Sequence, residues 1–102
     1  MTKQQFLLLK LSEECAEVAQ RCSKQIQFGK DEKQKNQELT NKQRLSGELL
    51  DLLAVANLLA ECGEVLPTTV TDIDVATLQK KTKMQKYLDL STELCQLPEI
   101  RL

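Results

Sequence analysis

The chain has 102 residues with 14 basic and 15 acidic side chains, a net charge of −1. That is room for one domain spanning residues 1–102, without the cationic excess of a stable nucleic-acid binder. Aromatics at 3%, three Gly and two Pro exclude a β-sandwich or barrel and disfavour a doubly wound α/β fold, and the complete absence of His rules out Ser–His and Cys–His catalysis and imidazole metal sites. Leu, Glu, Lys, Gln and Ala dominate, so the expected fold is all-α.

From Lys3 to Phe28 the pattern is helical. With Leu11 set at zero and roughly 100° per residue, Cys15, Val18, Cys22 and Ile26 fall within about 60° of it, a stripe expected to face the core. Glu14, Arg21 and Glu17 form a polar shoulder at about −60°, −80° and −120° on the same wheel. Gly29 is the expected left-handed cap. Residues 30–43 are polar except for Leu39 and read as a solvated connection. From Lys30 to Arg44 five basic residues outnumber three acidic ones, a small excess that suits an anionic ligand.

Leu45 to Cys62 (LSGELLDLLAVANLLAEC) is apolar nearly all round. Such a helix must be buried on most sides. So short a chain supplies few covering helices, so a bundle with this helix at its centre is expected to be completed by a second subunit. Gly63 suits a helix C-terminus and Pro67 blocks continuation. A third helix is expected from Ile73 to Gln96, capped at Thr71–Asp74, with Val75, Leu78, Tyr87, Leu88, Leu94 and Cys95 as its core side and Pro98 beyond its end. Cys15, Cys22, Cys62 and Cys95 include no C-x-x-C pair. They read as reduced structural thiols, which implies a cytoplasmic protein. No segment reaches membrane-spanning length, so no membrane partner is expected.

Two acids break the middle helix. On a wheel with Glu48 at zero, Leu52, Val55 and Leu59 lie within about 40° and Asp51 near −60°, so both carboxylates sit in an apolar face. An unpaired carboxylate there costs several kcal/mol, so each needs a partner. One answer is a buried salt bridge, with Arg44 near the same face. The other comes from a second pair: Glu14 and Glu17 share the i, i+3 spacing, about 5–6 Å apart on one helix face. An antiparallel hairpin of the two helices can bring four carboxylates together. Two divalent cations would neutralise them, and an all-oxygen donor set selects Mg²⁺ or Mn²⁺ over Zn²⁺.

Glu13-Glu14-Cys15-Ala16-Glu17, followed by Glu48-Leu49-Leu50-Asp51, resembles the EExxE…ExxD signature of the MazG-like all-α nucleoside triphosphate pyrophosphohydrolases. The similarity takes in KQIQFG (Lys24–Gly29), Asn41–Leu45 and ELLDLLAVANLL. It covers roughly residues 6 to 62, with a weaker match over the third helix, and is closest in form to the short phage and bacterial single-domain members.

The resemblance implies a four-helix-bundle-like fold and a Mg²⁺-dependent enzyme, with Mn²⁺ as a substitute. The reaction converts a nucleoside triphosphate to monophosphate and pyrophosphate. It implies Glu14, Glu17, Glu48 and Asp51 as metal ligands, Asn57 as a substrate contact, and Lys81, Lys83 and Lys86 as candidate phosphate-binding residues. The ions would grip the phosphates, activate a water and stabilise the leaving pyrophosphate. With no His, a carboxylate or the metal-activated water itself must serve as base, and Glu13 and Glu14 are the candidates. Phe6, Phe28 and Tyr87 are the aromatic side chains available to a base. A homodimer or dimer of dimers is expected. The competing reading is a non-catalytic dimeric helical interaction module whose acids are salt-bridged.

Overall fold

A computed structural model describes residues 1–94 and 98–102. It contains three helices, α1 (Lys3–Phe28), α2 (Asn41–Glu61) and α3 (Val70–Glu93), and no strand among the described residues. The fold is all-α. The chain divides into two compact units, Met1–Pro67 and Thr68–Leu102.

All three helices start in the same way. A threonine N-cap (Thr2, Thr40 or Thr69) accepts a hydrogen bond from the backbone N–H three residues on, and the side chain there (Gln5, Gln43 or Asp72) accepts one from the threonine N–H. These reciprocal bonds satisfy two donors that each helix start would otherwise orphan. They explain why α2 begins at Asn41 instead of Leu45, and α3 at Val70 instead of Ile73. The expected Thr71–Asp74 cap lies two residues beyond the observed Thr69–Asp72 one.

In the first unit, α1 and α2 pack together as a helical hairpin. Residues 29–40 connect them, drawn in by an isolated antiparallel bridge between Lys33 and Thr40. Asn41 fastens the turn. Its side-chain amide donates to the Gly29 carbonyl at 2.8 Å, its backbone N–H donates to Glu32, and only 1% of it is exposed. Gly29 caps α1 at φ 91° and ψ 155°, which is positive φ but extended, not the expected left-handed helical conformation. At the other end of α2, Gly63 (φ 77°) donates to the Ala60 carbonyl and Glu64 donates to that of Leu59. That 6→1 and 5→2 pair is a Schellman cap, and its positive φ suits glycine.

The face of α1 that meets α2 is Gln4, Leu7, Leu11, Glu14, Val18, Arg21 and Gln25, all buried or half-buried. Opposite them α2 contributes Asn41, Leu45, Glu48, Leu52, Val55 and Leu59. Cys15, Cys22 and Ile26, expected in the core, are exposed. The contact face is rotated by about 60° toward the acidic shoulder, because α2 brings its own polar side chains into the seam. The dry part of the core is small: Leu7 and Leu59 are its buried apolar residues. In the single chain α2 is not enclosed, and Leu50 and Leu53 are 67% and 57% exposed.

The second unit is α3 with the tail 98–102 folded against it. Gln85 accepts from the Leu102 N–H at 3.1 Å and donates to the Ile100 carbonyl at 2.9 Å, while Arg101 pairs with Asp89 at 3.1 Å. Of the expected core side, Leu88 is half-buried and Val75, Leu78, Tyr87 and Leu94 are exposed; Cys95 lies outside the described residues. Among the described residues no helix is long and apolar enough to cross a membrane.

Candidate metal centre

Midway along the hairpin, α1 presents Glu14 and Glu17, and α2 presents Glu48. The i, i+3 spacing on α1 sets its two acids one turn apart on a single side of the helix. The antiparallel return brings Glu48 level with them. One carboxylate oxygen from each residue lies within 4.8 Å of the other two. Glu14 and Glu48 are half-buried and Glu17 is exposed.

Among the described residues no ion pair closes on this group. The ion pairs among the described residues are Lys10–Glu13, Arg101–Asp89 and Arg101–Glu99, and none involves Glu14, Glu17, Glu48 or Asp51. Arg44, the salt-bridge candidate on α2, donates instead to the Gln34 side-chain oxygen at 2.9 Å. Glu14 Oε2 and Glu48 Oε2 are both buried without a hydrogen-bond donor.

The electrostatic consequence is a shift of both half-buried acids toward the protonated form. Burial comes first in holding the Glu14 carboxyl above its ordinary value; repulsion from Glu17 and Asp51 adds to it, and Lys10 opposes it. The Glu48 carboxyl is raised chiefly by a hydrogen bond to Glu17, then by burial and by the charges of Glu17, Asp51 and Glu14. A bond between two carboxyl groups needs a shared proton. A centre of this kind can hold a proton or a cation.

Its donors suit a hard divalent cation: oxygens only, mutually repelling, two of them buried and without donors. Glu14, Glu17 and Glu48 could hold Mg²⁺ or Mn²⁺ directly. Asp51 is exposed and lies outside the close trio, yet its charge contributes to the raised values of both Glu14 and Glu48.

Of the remaining candidates from the sequence, those in the hairpin do not join the trio. Glu13 is exposed and engaged by Lys10 at 2.9 Å. Asn57 is exposed. It is nine residues beyond Glu48, about 180° round α2. Lys81, Lys83 and Lys86 belong to the second unit. Lys81 and Lys86 line a cavity of about 440 Å³ with Gln85, Asp89 and Arg101. Lys83 lines a neighbouring groove with Leu78, Gln79 and Thr82. Of the aromatic side chains, Phe6, Phe28 and Tyr87 are all exposed, and the Lys24 ammonium lies 5.6 Å from the Phe28 ring centre.

The seam holds one further charged residue, which the sequence places on the polar shoulder without assigning it a role. Arg21, one turn beyond Glu17, is half-buried, and one of its guanidinium nitrogens (Nη1) is buried without an acceptor. Its position on the acidic shoulder of the α1 wheel was the available signal.

No family model, curated protein or solved structure matches this chain.

Proposed function

We propose that the chain is a divalent-metal-dependent nucleotide pyrophosphohydrolase, converting a nucleoside triphosphate to monophosphate and pyrophosphate. The observation that carries the reading is the convergence of Glu14, Glu17 and Glu48 within 4.8 Å, without a pairing cation. The EExxE…ExxD resemblance supports it by supplying the same residues from sequence. Mg²⁺ is the preferred ion and Mn²⁺ its substitute.

When bound, the ion would draw charge from the phosphate oxygens and ease loss of a proton from an attacking water. The protein's own contribution is to hold the centre rigid. Leu7 and Leu59 pack below it and the Asn41 clasp closes the turn above it, so the two helices cannot spread to relieve the repulsion. Of the two candidate bases Glu14 is the better placed, with an oxygen that has no donor, whereas Glu13 is tied to Lys10. Asp51 supplies a fourth carboxylate at the edge of the group.

The same reading extends to assembly and location. The exposed Leu49, Leu50 and Leu53 on α2 are covered by a second copy in a homodimer or dimer of dimers, and the enzyme works in the cytoplasm, where its thiols stay reduced.

Phosphorus NMR of a completed reaction tests the chemistry. The expected products are monophosphate and intact pyrophosphate. Orthophosphate with nucleoside diphosphate, or no turnover with any triphosphate, overturns the assignment. A manganese titration followed by electron paramagnetic resonance tests the centre itself: one that binds no ion leaves the non-catalytic helical module in its place.

A further inference from the structure

We infer that Arg21 and Arg44 form an anion clamp at the turn end of the hairpin's charged flank, binding a phosphate group of the substrate one helical turn from the cation. The inference rests on the metal-centre reading and deepens it. It assigns the phosphate to the hairpin itself, not to the lysines of α3.

Three observations support it. The first is the side of the seam on which the residues stand. Cys22 and Ile26 of α1 and Leu45 of α2 line one groove of the hairpin, with Gln25. Cys22 and Ile26 lie at about +20° and +60° on the α1 wheel, and Leu45 at about +60° on the α2 wheel. That fixes which shoulders meet: positive faces positive, and negative faces negative. Glu14, Glu17 and Arg21 lie on the negative shoulder of α1, at about −60° to −120°. Arg44 and Asp51, at about −40° and −60°, lie on the matching shoulder of α2. The hairpin therefore has one apolar flank and one charged flank, and both arginines are on the charged one.

The second observation is their level along the axis. Arg21 is four residues beyond Glu17 toward the turn, and Arg44 four residues before Glu48 toward the same turn. Each stands about 6 Å along its helix from an acid of the trio. The charged flank thus runs from an acidic stretch to a cationic one.

The third is that the two arginines do not spend their charge on the acids. Neither forms an ion pair. Arg21 Nη1 is buried without an acceptor, while Arg44 uses Nη1 on Gln34. An arginine one turn from three crowded carboxylates would ordinarily bridge to them. Two guanidinium groups left on one flank are best satisfied by a multiply charged oxyanion, and their fork geometry matches phosphate. With a cation on the acids, a polyphosphate chain would meet positive charge along its whole length.

The test uses pyrophosphate as the probe, with Mg²⁺ present, and reads the guanidinium Nε–H resonances of Arg21 and Arg44 in the wild-type protein by ¹⁵N NMR. Both should shift on titration. Arg21→Met and Arg44→Met should each weaken pyrophosphate binding by about tenfold while leaving Mn²⁺ binding unchanged. Arg21→Lys, which keeps the charge and loses the fork, should fall between. Unmoved resonances and wild-type affinity in the variants overturn the clamp, leaving Arg21 a structural residue bridged by water. If the wild type binds no Mn²⁺, the metal centre fails by itself. The same titration without metal then decides the clamp: a shift of the Arg21 resonance sustains it and no shift removes it.

Discussion

The hairpin and α3 are built from similar parts and end up physically different. Each helix starts with a threonine capping box and carries both leucines and lysines. Yet the hairpin buries Leu7, Leu59 and Asn41, whereas α3, with its tail, buries only Ser91 among the described residues. Caps fix where a helix begins; they do not create a place where charge can be held against its own repulsion. That takes a second helix at close quarters. Among the described residues the acids Asp72, Asp74 and Asp89 of α3 gather no group like Glu14, Glu17 and Glu48, and Asp89 shares Arg101 with Glu99 of the tail.

The largest test of this contrast is catalytic. Glu48→Gln, which removes a charge at nearly constant volume, should cut triphosphate hydrolysis by about a thousandfold. The metal-free variant should melt no lower than wild type, since repulsion in the trio is relieved. Lys81→Met, Lys83→Met and Lys86→Met should act mainly on KM, by about tenfold at most. A lysine variant as damaged to kcat as Glu48→Gln would show that the chemistry is not confined to the hairpin.

Next in size is core packing. Leu59→Ala should cost about 2–5 kcal/mol, because Leu59 is wholly buried in the hairpin seam. Leu78→Ala, at a position 68% exposed, should cost under about 0.5 kcal/mol. Urea unfolding of both variants measures the difference. A Leu78 cost approaching that of Leu59 means that a partner covers this face of α3 in solution, as the proposed dimer would allow.

Much of this was legible in the residues, and the failures have identifiable causes. The bounds of α1 follow from its periodicity, and the gathering of Glu14, Glu17 and Glu48 follows from i, i+3 spacing on two helices joined by a turn. Asp51 follows the same spacing but sits further out, because an exposed side chain need not complete a group that three others have already formed. The rotation of α1 was not legible. Hydrophobicity selects the Cys15–Cys22–Ile26 stripe, and only the polar residues of α2 explain why Glu14 and Arg21 turn inward. The starts of α2 and α3 were written in Thr40-x-x-Gln43 and Thr69-x-x-Asp72, a local signal that the longer apolar pattern overshadowed.

Those boxes give a smaller effect. Thr40→Ala and Thr69→Ala each remove one cap, worth about 1 kcal/mol. The outcomes should differ in reach. Thr40 precedes the buried Asn41 clasp, so its loss should lower the global melting temperature of the hairpin. Loss of the Thr69 cap should fray the first turn of α3, seen as faster amide exchange over Val70–Asp74 with little change in the hairpin. Equal global effects would mean that the two units unfold as one.

The smallest expected effect is the dependence on pH, and here the two regions should move in opposite directions. Glu14 and Glu48 have carboxyl values raised above the ordinary 4.5. A raised carboxyl binds its proton more tightly in the folded state than in the unfolded one. Its stabilising contribution is therefore full below 4.5 and is lost as pH rises through the elevated folded value. Asp72 is held below its ordinary 3.8 by the backbone and side chain of Thr69. Its contribution is full above 3.8 and is lost as pH falls through the lowered value. Acidifying the metal-free protein from neutrality toward 4.5 should thus firm the hairpin while leaving the α3 cap intact, and going below 3.8 should fray α3 first. Residue-resolved carbon chemical shifts across the titration follow both regions at once. Saturating Mg²⁺ should abolish the hairpin's gain on acidification, because the ion displaces the protons that produce it, and should leave the α3 response untouched. A hairpin that gains the same stability with and without Mg²⁺ would separate the raised carboxyls from the metal centre altogether.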